Sequence, residues 1–322
     1  MKLGWLVCGI VLAVAAQGAR AVDFGVIRRV PTQRFKPLKA HPQVALTFDD
    51  MPAAGELSPG ETRAAIATRL ANELRANHIK GVYGFVNAVG LDQDPDMQQA
   101  LGIWVAKGMR IGNHTWSHPE LSSDSASGYE QEIAMDEPAL RQFAQGHDWH
   151  WFRFPYLEEG DTVAKREDVR HWLQAHGYHV AEVTLNFNDD EWSDPYDRCL
   201  AKHDTAGIAW PEQSYMENAA EFIRVGRQEE QIAFGHEVPN VLLLHETAFT
   251  TLMLPRLVGL LRQEGFRFTD LRKVERNRVY AKDPATGFPD GGSLLNEFLD
   301  SRHLPYPSFT PEPDQRLDNL CR

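Results

Sequence analysis

Basic residues are in short supply in this 322-residue chain: 33 Lys and Arg stand against 45 Asp and Glu, for a net charge of -12. That balance argues against a general binder of phosphate backbones, which presents a basic face. A Gly-rich phosphate loop is missing, as are internal repeats and low-complexity linkers. Past the N-terminal region no apolar run is long enough to span a bilayer. Disorder is excluded by the 43% hydrophobic content, which builds one large domain or two small ones, each with a core. Cysteine is scarce, at Cys8, Cys199 and Cys321.

What is present begins with "MKLGWLVCGIVLAVAAQGARAVDF": a lysine, an apolar core from Leu6 to Ala16, then small residues ending at Ala21. This pattern predicts a signal peptide over 1–21, a periplasmic or secreted mature protein and no stable membrane anchor after cleavage. Only Cys199 and Cys321 remain in the mature chain. In an oxidising compartment they can pair and tie the C-terminal tail to the body, or stay apart, since spacing does not decide proximity.

Strand-like and helix-like stretches then alternate. "QVALTF" precedes the helical period of "ETRAAIATRLANELRANHI", and "GVYGFV", "MRIGNH", "HWFRFP", 178–185 and "VLLLHE" read as further strands, with helices at 129–145, 162–176 and 212–227 among those between them. Repeated βα units imply a parallel sheet covered by helices, and about seven strands favour a distorted barrel over an open sheet. The expected organisation is a catalytic domain over 22–272 and an irregular tail over 273–322 packed on the barrel.

In such a barrel function gathers where strands end. "VALTFDDMP" ends an apolar strand on Asp49 and Asp50, and Pro52 predicts that the strand stops at the acids. Either both carboxylates converge on one cavity or they form a solvated turn. "GNHTWSHPEL" sets His114 and His118 four apart, a spacing that suits a metal in a helix or tight turn and equally suits a surface turn. "WFRFPY" ends on Arg153 and Tyr156, and "VLLLHE" on His245. Arg153 can orient a buried acid or form a surface ion pair; His245 can be a general acid or a structural histidine.

Taken in order, "TFDD" (Thr47 to Asp50), His114 to His118, Arg153 to Tyr156, the Asp189 region of "VTLNFNDDEW" and "LLLH" (Leu242 to His245) resemble the motifs of the polysaccharide deacetylases, carbohydrate esterase family four. The resemblance implies a distorted barrel, usually of seven strands, and a Zn2+ or other divalent transition metal held by Asp50, His114 and His118. It implies Asp49 as general base, Arg153 as the group orienting it, His245 as general acid and Asp189 as the acid of the fourth motif. Two positions depart from the pattern: Met51 stands where relatives have Gly, narrowing the room beside the metal, and Asp190 where they often have Trp, so that Trp192 is the candidate replacement ring.

The chemistry that follows is hydrolysis of an acetyl group on a glycan. A divalent cation lowers the pKa of bound water towards about 7. Asp49 takes a proton, the Tyr156 N–H holds the oxyanion, and His245 protonates the leaving group. Trp116, Trp151 and Tyr156 are candidate faces for sugar rings. The expected partner is an acetylated glycan, with N-acetyl preferred and no nucleic acid. Two rivals remain: a secreted glycan-binding protein without turnover, and a non-haem Fe(II) oxygenase, whose carboxylate would be expected two residues after the first histidine.

Overall fold

A computed structural model describes residues 41–53, 55, 57–58, 60–287, 289–309 and 314–322. The signal peptide expected over 1–21, with Cys8, lies outside the described residues. Seven strands run parallel in one sheet: β1 (Gln43–Met51), β2 (Tyr83–Val86), β3 (Arg110–Asn113), β4 (Trp151–Phe152), β5 (His179–Val180), β6 (Asn240–His245) and β7 (Arg267–Phe268). Their order is β5-β4-β3-β2-β1-β6, with β7 paired to the start of β1. Leu185, just past β5, pairs with Leu242 of β6 and so links the two ends of the sheet. The result is the distorted parallel barrel that the alternation predicted. β5 is much shorter than the expected 178–185, because the chain leaves β4 and crosses to β6 instead.

Helices α1 (Arg63–Ala76), α2 (Pro95–Ala106), α3 (Ala126–Phe143), α4 (Val163–Ala175), α5 (Ser193–Ala201), α6 (Thr205–Phe234) and α7 (Ala248–Gln263) follow in the crossovers, and α8 (Leu271–Val274), α9 (Leu294–Ser301) and α10 (Asp314–Asn319) come after β7. Their starts are set by side-chain caps: Thr62 accepts from the Ala65 N–H, Ser125 from Gly128, and Thr247 from Thr250. α6 begins seven residues before the expected 212, running through Pro211, and ends on Gly235 in the left-handed conformation.

Two cores result from the two faces of the strands. Val44, Leu46 and Phe48 join Val86, Ile111, Phe152, Leu242 and Leu244 in the layer under the helices. Ala45, Tyr83, Phe85, Trp151 and Val241 pack inside the barrel, with Leu271 and Val274 of α8 against them. The alternation carries upward. Thr47, Asp49 and Arg153 continue the inner face, so the first catalytic candidates stand at the mouth of the barrel.

The segment after Arg272, expected to be irregular, holds α9 and α10. α9 starts on a capping box between Ser293 and Asn296 and buries Leu294, Phe298 and Leu299 against Ala233 and Val238. Eight residues are too few for periodicity to declare a helix. Cys199 of α5 and Cys321 form a disulfide across 122 residues. Gly207 makes room for it: a Cβ there would stand 2.6 Å from one sulfur and 2.8 Å from the other. Cys321→Ser is expected to lower unfolding stability by on the order of 2–4 kcal/mol while leaving turnover intact, and Gly207→Ala to lose the bond in part; denaturant unfolding with and without reductant checks both.

Candidate functional site

β1 does not stop at its acids. It continues to Met51 through a register shift between Phe48 and Met51, where Asp50 adopts φ +58°. The strand therefore bulges, and the bulge brings Asp50, due by alternation to face away, round to the side of Asp49. Met51 turns into the core at 1% exposure, over Gly84, whose missing side chain leaves it space. Met51 also lines the small pocket beside Asp50 and His118, so it bears on the room there as well as on the core.

The histidine loop is turned rather than helical. His118 and Thr115 have φ of +61° and +66°, the Asn87 amide donates to the carbonyls of His114 and Thr115, and the Thr115 hydroxyl accepts from the His118 N–H. Non-glycine residues in this region are costly and persist where surroundings hold them. Asp50, Thr115, His118, Tyr156 and Asn188 all take it around one mouth.

His114 and His118 point their Nε2 atoms at Asp50 Oδ1, at 3.4 and 3.2 Å. That oxygen is buried and makes no hydrogen bond of proper geometry among the described residues. His114 Nδ1 lies 2.8 Å from the Arg153 carbonyl, which can only accept, so Nδ1 carries the proton and Nε2 presents its lone pair inward. Burial raises the Asp50 carboxyl pKa, and the imidazoles of His114 and His118 outweigh it, holding the group well below the usual range. An ionised carboxylate and the Nε2 atoms of two imidazoles meeting at one point, with an orphaned oxygen among them, fit a divalent transition metal.

Asp49, 2% exposed, is paired with Arg153 Nη1 at 3.1 and 3.2 Å. Arg153 is itself 1% exposed, donates through Nε to the Ala181 carbonyl, and lies over the Phe85 ring at 4.6 Å. It is not a surface ion pair. His114 Nε2 is 4.0 Å from Asp49 Oδ2, so the two acids share one imidazole between them.

On β6, His245 stands in register with Asp49. Its Nδ1 is 2.8 Å from Asp189 Oδ1, its N–H donates to the same carboxylate, and the Thr250 hydroxyl donates to Asp189 Oδ2 at 2.5 Å. Burial would lower the imidazole pKa, but the hydrogen bond and charge of Asp189 prevail and push it up to about 10. Asp190 is half exposed, 3.4 Å from the same nitrogen, and faces the site where a ring was expected. Trp192 does not replace that ring: it is fully buried, donates to the Ser214 hydroxyl and packs on Tyr215.

Of the expected aromatic faces, Tyr156 alone stands at the site with an open ring. It is 58% exposed and meets His118 edge to face at 4.4 Å. Trp151 is wedged between Tyr83 and His179. Trp116 packs against the main core, its carbonyl accepting from Val89. Sequence reading passes over Asn87, Thr250 and Glu246, whose carboxylate accepts from the Ala53 N–H and anchors the turn after the acids. The one available signal is position, since Asn87 and Glu246 are polar residues just past apolar strands.

Residues 38–181 match the family model described as polysaccharide deacetylase. A chitin deacetylase of Pestalotiopsis is 28% identical over 166 residues, covering 52% of this chain and 46% of that protein. A peptidoglycan-N-acetylglucosamine deacetylase of Bacillus cereus is 29% identical over 116 residues, 36% of this chain and 37% of that protein. The matched segments thus span less than half of these relatives. A family four carbohydrate esterase pseudoenzyme from Bacillus anthracis has the same fold at a TM-score of 0.50 and 14% identity, covering 73% of this chain and 65% of that one. The barrel, the motif order and the family model agree over one segment: residues 38–181 match the polysaccharide deacetylase family, and over that stretch the chain is similar to its members.

Proposed function

We propose that this protein is a metal-dependent deacetylase acting outside the cytoplasm on a β-linked N-acetylhexosamine glycan, cleaving N-acetyl groups in preference to O-acetyl esters. The reading is carried by one observation. The Asp50–His114–His118 donor set, the Asp49–Arg153 pair and the Asp189–His245 pair meet at a single mouth of the barrel. The names of the matched relatives support the substrate class, the Cys199–Cys321 disulfide supports an oxidising compartment, and among the described residues no helix is long and apolar enough to cross a membrane.

Asp50 Oδ1 and the Nε2 atoms of His114 and His118 would hold zinc, which when bound polarises the acetyl carbonyl and acidifies water. Asp49, held by Arg153, takes the proton of the attacking water. The Tyr156 N–H, fixed by a left-handed turn, donates to the oxyanion that develops. His245 enters the reaction protonated, because Asp189 holds its proton through neutral pH, and gives that proton to the departing amine. The adjacent acids thus divide the chemistry, Asp50 holding the metal while Asp49 cycles a proton.

The test is acetate release from chitooligosaccharides, peptidoglycan fragments and acetylxylan, by enzyme as isolated, stripped with chelator and reloaded with zinc. Release from the N-acetylated glycans, lost on stripping and regained with zinc, is the expected result. Acetylxylan turnover alone would overturn the N-acetyl preference. Zinc binding without any acetate release would instead favour the non-catalytic glycan binder, a reading motivated by Asp190 in place of a ring.

A further inference from the structure

A cleft of about 510 Å3 lies between the Tyr156 turn, residues 184–188, helix α6 and the stretch 290–309. That volume lies in the range of ligand pockets. Most of its wall comes from residues beyond the 38–181 segment that matches the family model. Tyr156 joins it to the active site, since this lining residue packs its ring on His118. Gly291, at φ +67°, sits so close against the Tyr156 carbonyl that any Cβ would collide, and the Gly292 N–H donates to the Leu157 carbonyl. The outer wall is pinned as well, by Arg224 donating to the Ser308 carbonyl at 2.9 Å.

The lining has a particular chemistry. Among the described residues it contains the carboxylates of Glu229 and Asp290 and no Lys, Arg or His. Glu229 is 7% exposed; it accepts from the Asn296 amide at 2.9 Å, and among the described residues no cation pairs with it. Burial pushes its carboxyl up to about 7, with the Asn296 hydrogen bond pulling the other way. A carboxylate so buried is costly without a positive partner. Around it stand three rings open to solvent, Tyr156, Tyr306 and Phe309, at 58%, 50% and 52% exposure.

We propose that this cleft binds an amine-bearing sugar, a de-N-acetylated hexosamine unit of the same glycan, and so biases turnover towards chains already partly deacetylated. The proposal rests on the deacetylase reading for its effect on turnover. An ammonium group supplies the charge that Glu229 lacks, with Asp290 at the exposed rim, while the rings take the apolar faces of the sugar and attract the cation. An acetylated unit brings no charge, and an acidic sugar is repelled.

The fully deacetylated glucosamine tetramer has no acetyl group to lose, so calorimetry reads its binding independently of turnover. The wild-type enzyme is expected to bind it, Glu229→Gln about tenfold more weakly, and Asp290→Asn and Tyr306→Ala with smaller losses. Added salt should weaken the wild type more than Glu229→Gln, and affinity for the tetra-N-acetyl analogue should be the same in wild type and Glu229→Gln. No binding by the wild type overturns the proposal, as does wild-type affinity in a Glu229→Gln protein with native melting temperature. Should Glu229→Gln misfold, unchanged affinity in both Asp290→Asn and Tyr306→Ala overturns it. Binding through Glu229 with no acetate released from any glycan upholds the cleft and sinks the deacetylase reading. Acetate release without glucosamine binding does the reverse.

Discussion

Asp49→Asn is expected to retain zinc and lose turnover by about 10²- to 10⁴-fold, whereas Asp50→Asn is expected to lose zinc and activity together. The two residues are neighbours, and the substitution is the same, so the contrast isolates their environments. Asp49 lies with Arg153, and an amide there still fills the space while ceasing to accept a proton. It also leaves a buried guanidinium short of its counter-charge, so some loss of stability accompanies the loss of rate. Asp50 is different. Its Oδ1 faces two imidazoles 3.4 and 3.2 Å away, and only an ionised oxygen brings charge to that point. Zinc content by mass spectrometry, beside kcat for acetate release, checks both halves. Equal loss of metal in the two variants would refute the division of labour.

Much of the fold and site is legible in the sequence because it depends on period and order. The apolar residues of β1 alternate between two cores, and that alternation alone puts Asp49 on the inner face above Ala45 and Thr47. Four of the five motifs lie at or just past strand ends, where a parallel barrel collects its chemistry, while Asp189 opens a short helical turn after the Leu185–Leu242 bridge. The bulge at Asp50 is not legible. Pro52 suggests a stop, and nothing in "DDM" announces a left-handed aspartate inside a continuing strand. Trp116, Trp151 and Trp192 stand close to the motifs in sequence, yet their rings are spent on packing, which contacts distant in sequence decide. The cleft walled by Glu229, Asp290 and Tyr306 escapes for the same reason: it is built from segments far apart in the chain, none of them periodic enough to point at another.

Asp189→Asn is expected to lower kcat/KM at neutral pH by on the order of 10²-fold and to move the alkaline limb of the profile to lower pH. A general acid works only while protonated. Burial alone would push the His245 pKa below its ordinary value; Asp189, through its hydrogen bond and charge, instead raises it to about 10. The sign is therefore fixed. In the wild type the proton on His245 is retained through neutral pH and lost as pH rises through that value, and the stability it contributes is lost over the same span. An asparagine can keep a hydrogen bond to Nδ1 but brings no charge, leaving Asp190 and the more distant Asp50 to oppose burial. The imidazole then sheds its proton earlier, and activity falls earlier with it. Thr250→Val, which removes a donor from Asp189 Oδ2 and leaves the carboxylate in place, should cost far less and leave the limb near its wild-type position. A pH series of kcat/KM on the three proteins decides the matter, and an unchanged alkaline limb in Asp189→Asn would remove His245 from the role of acid.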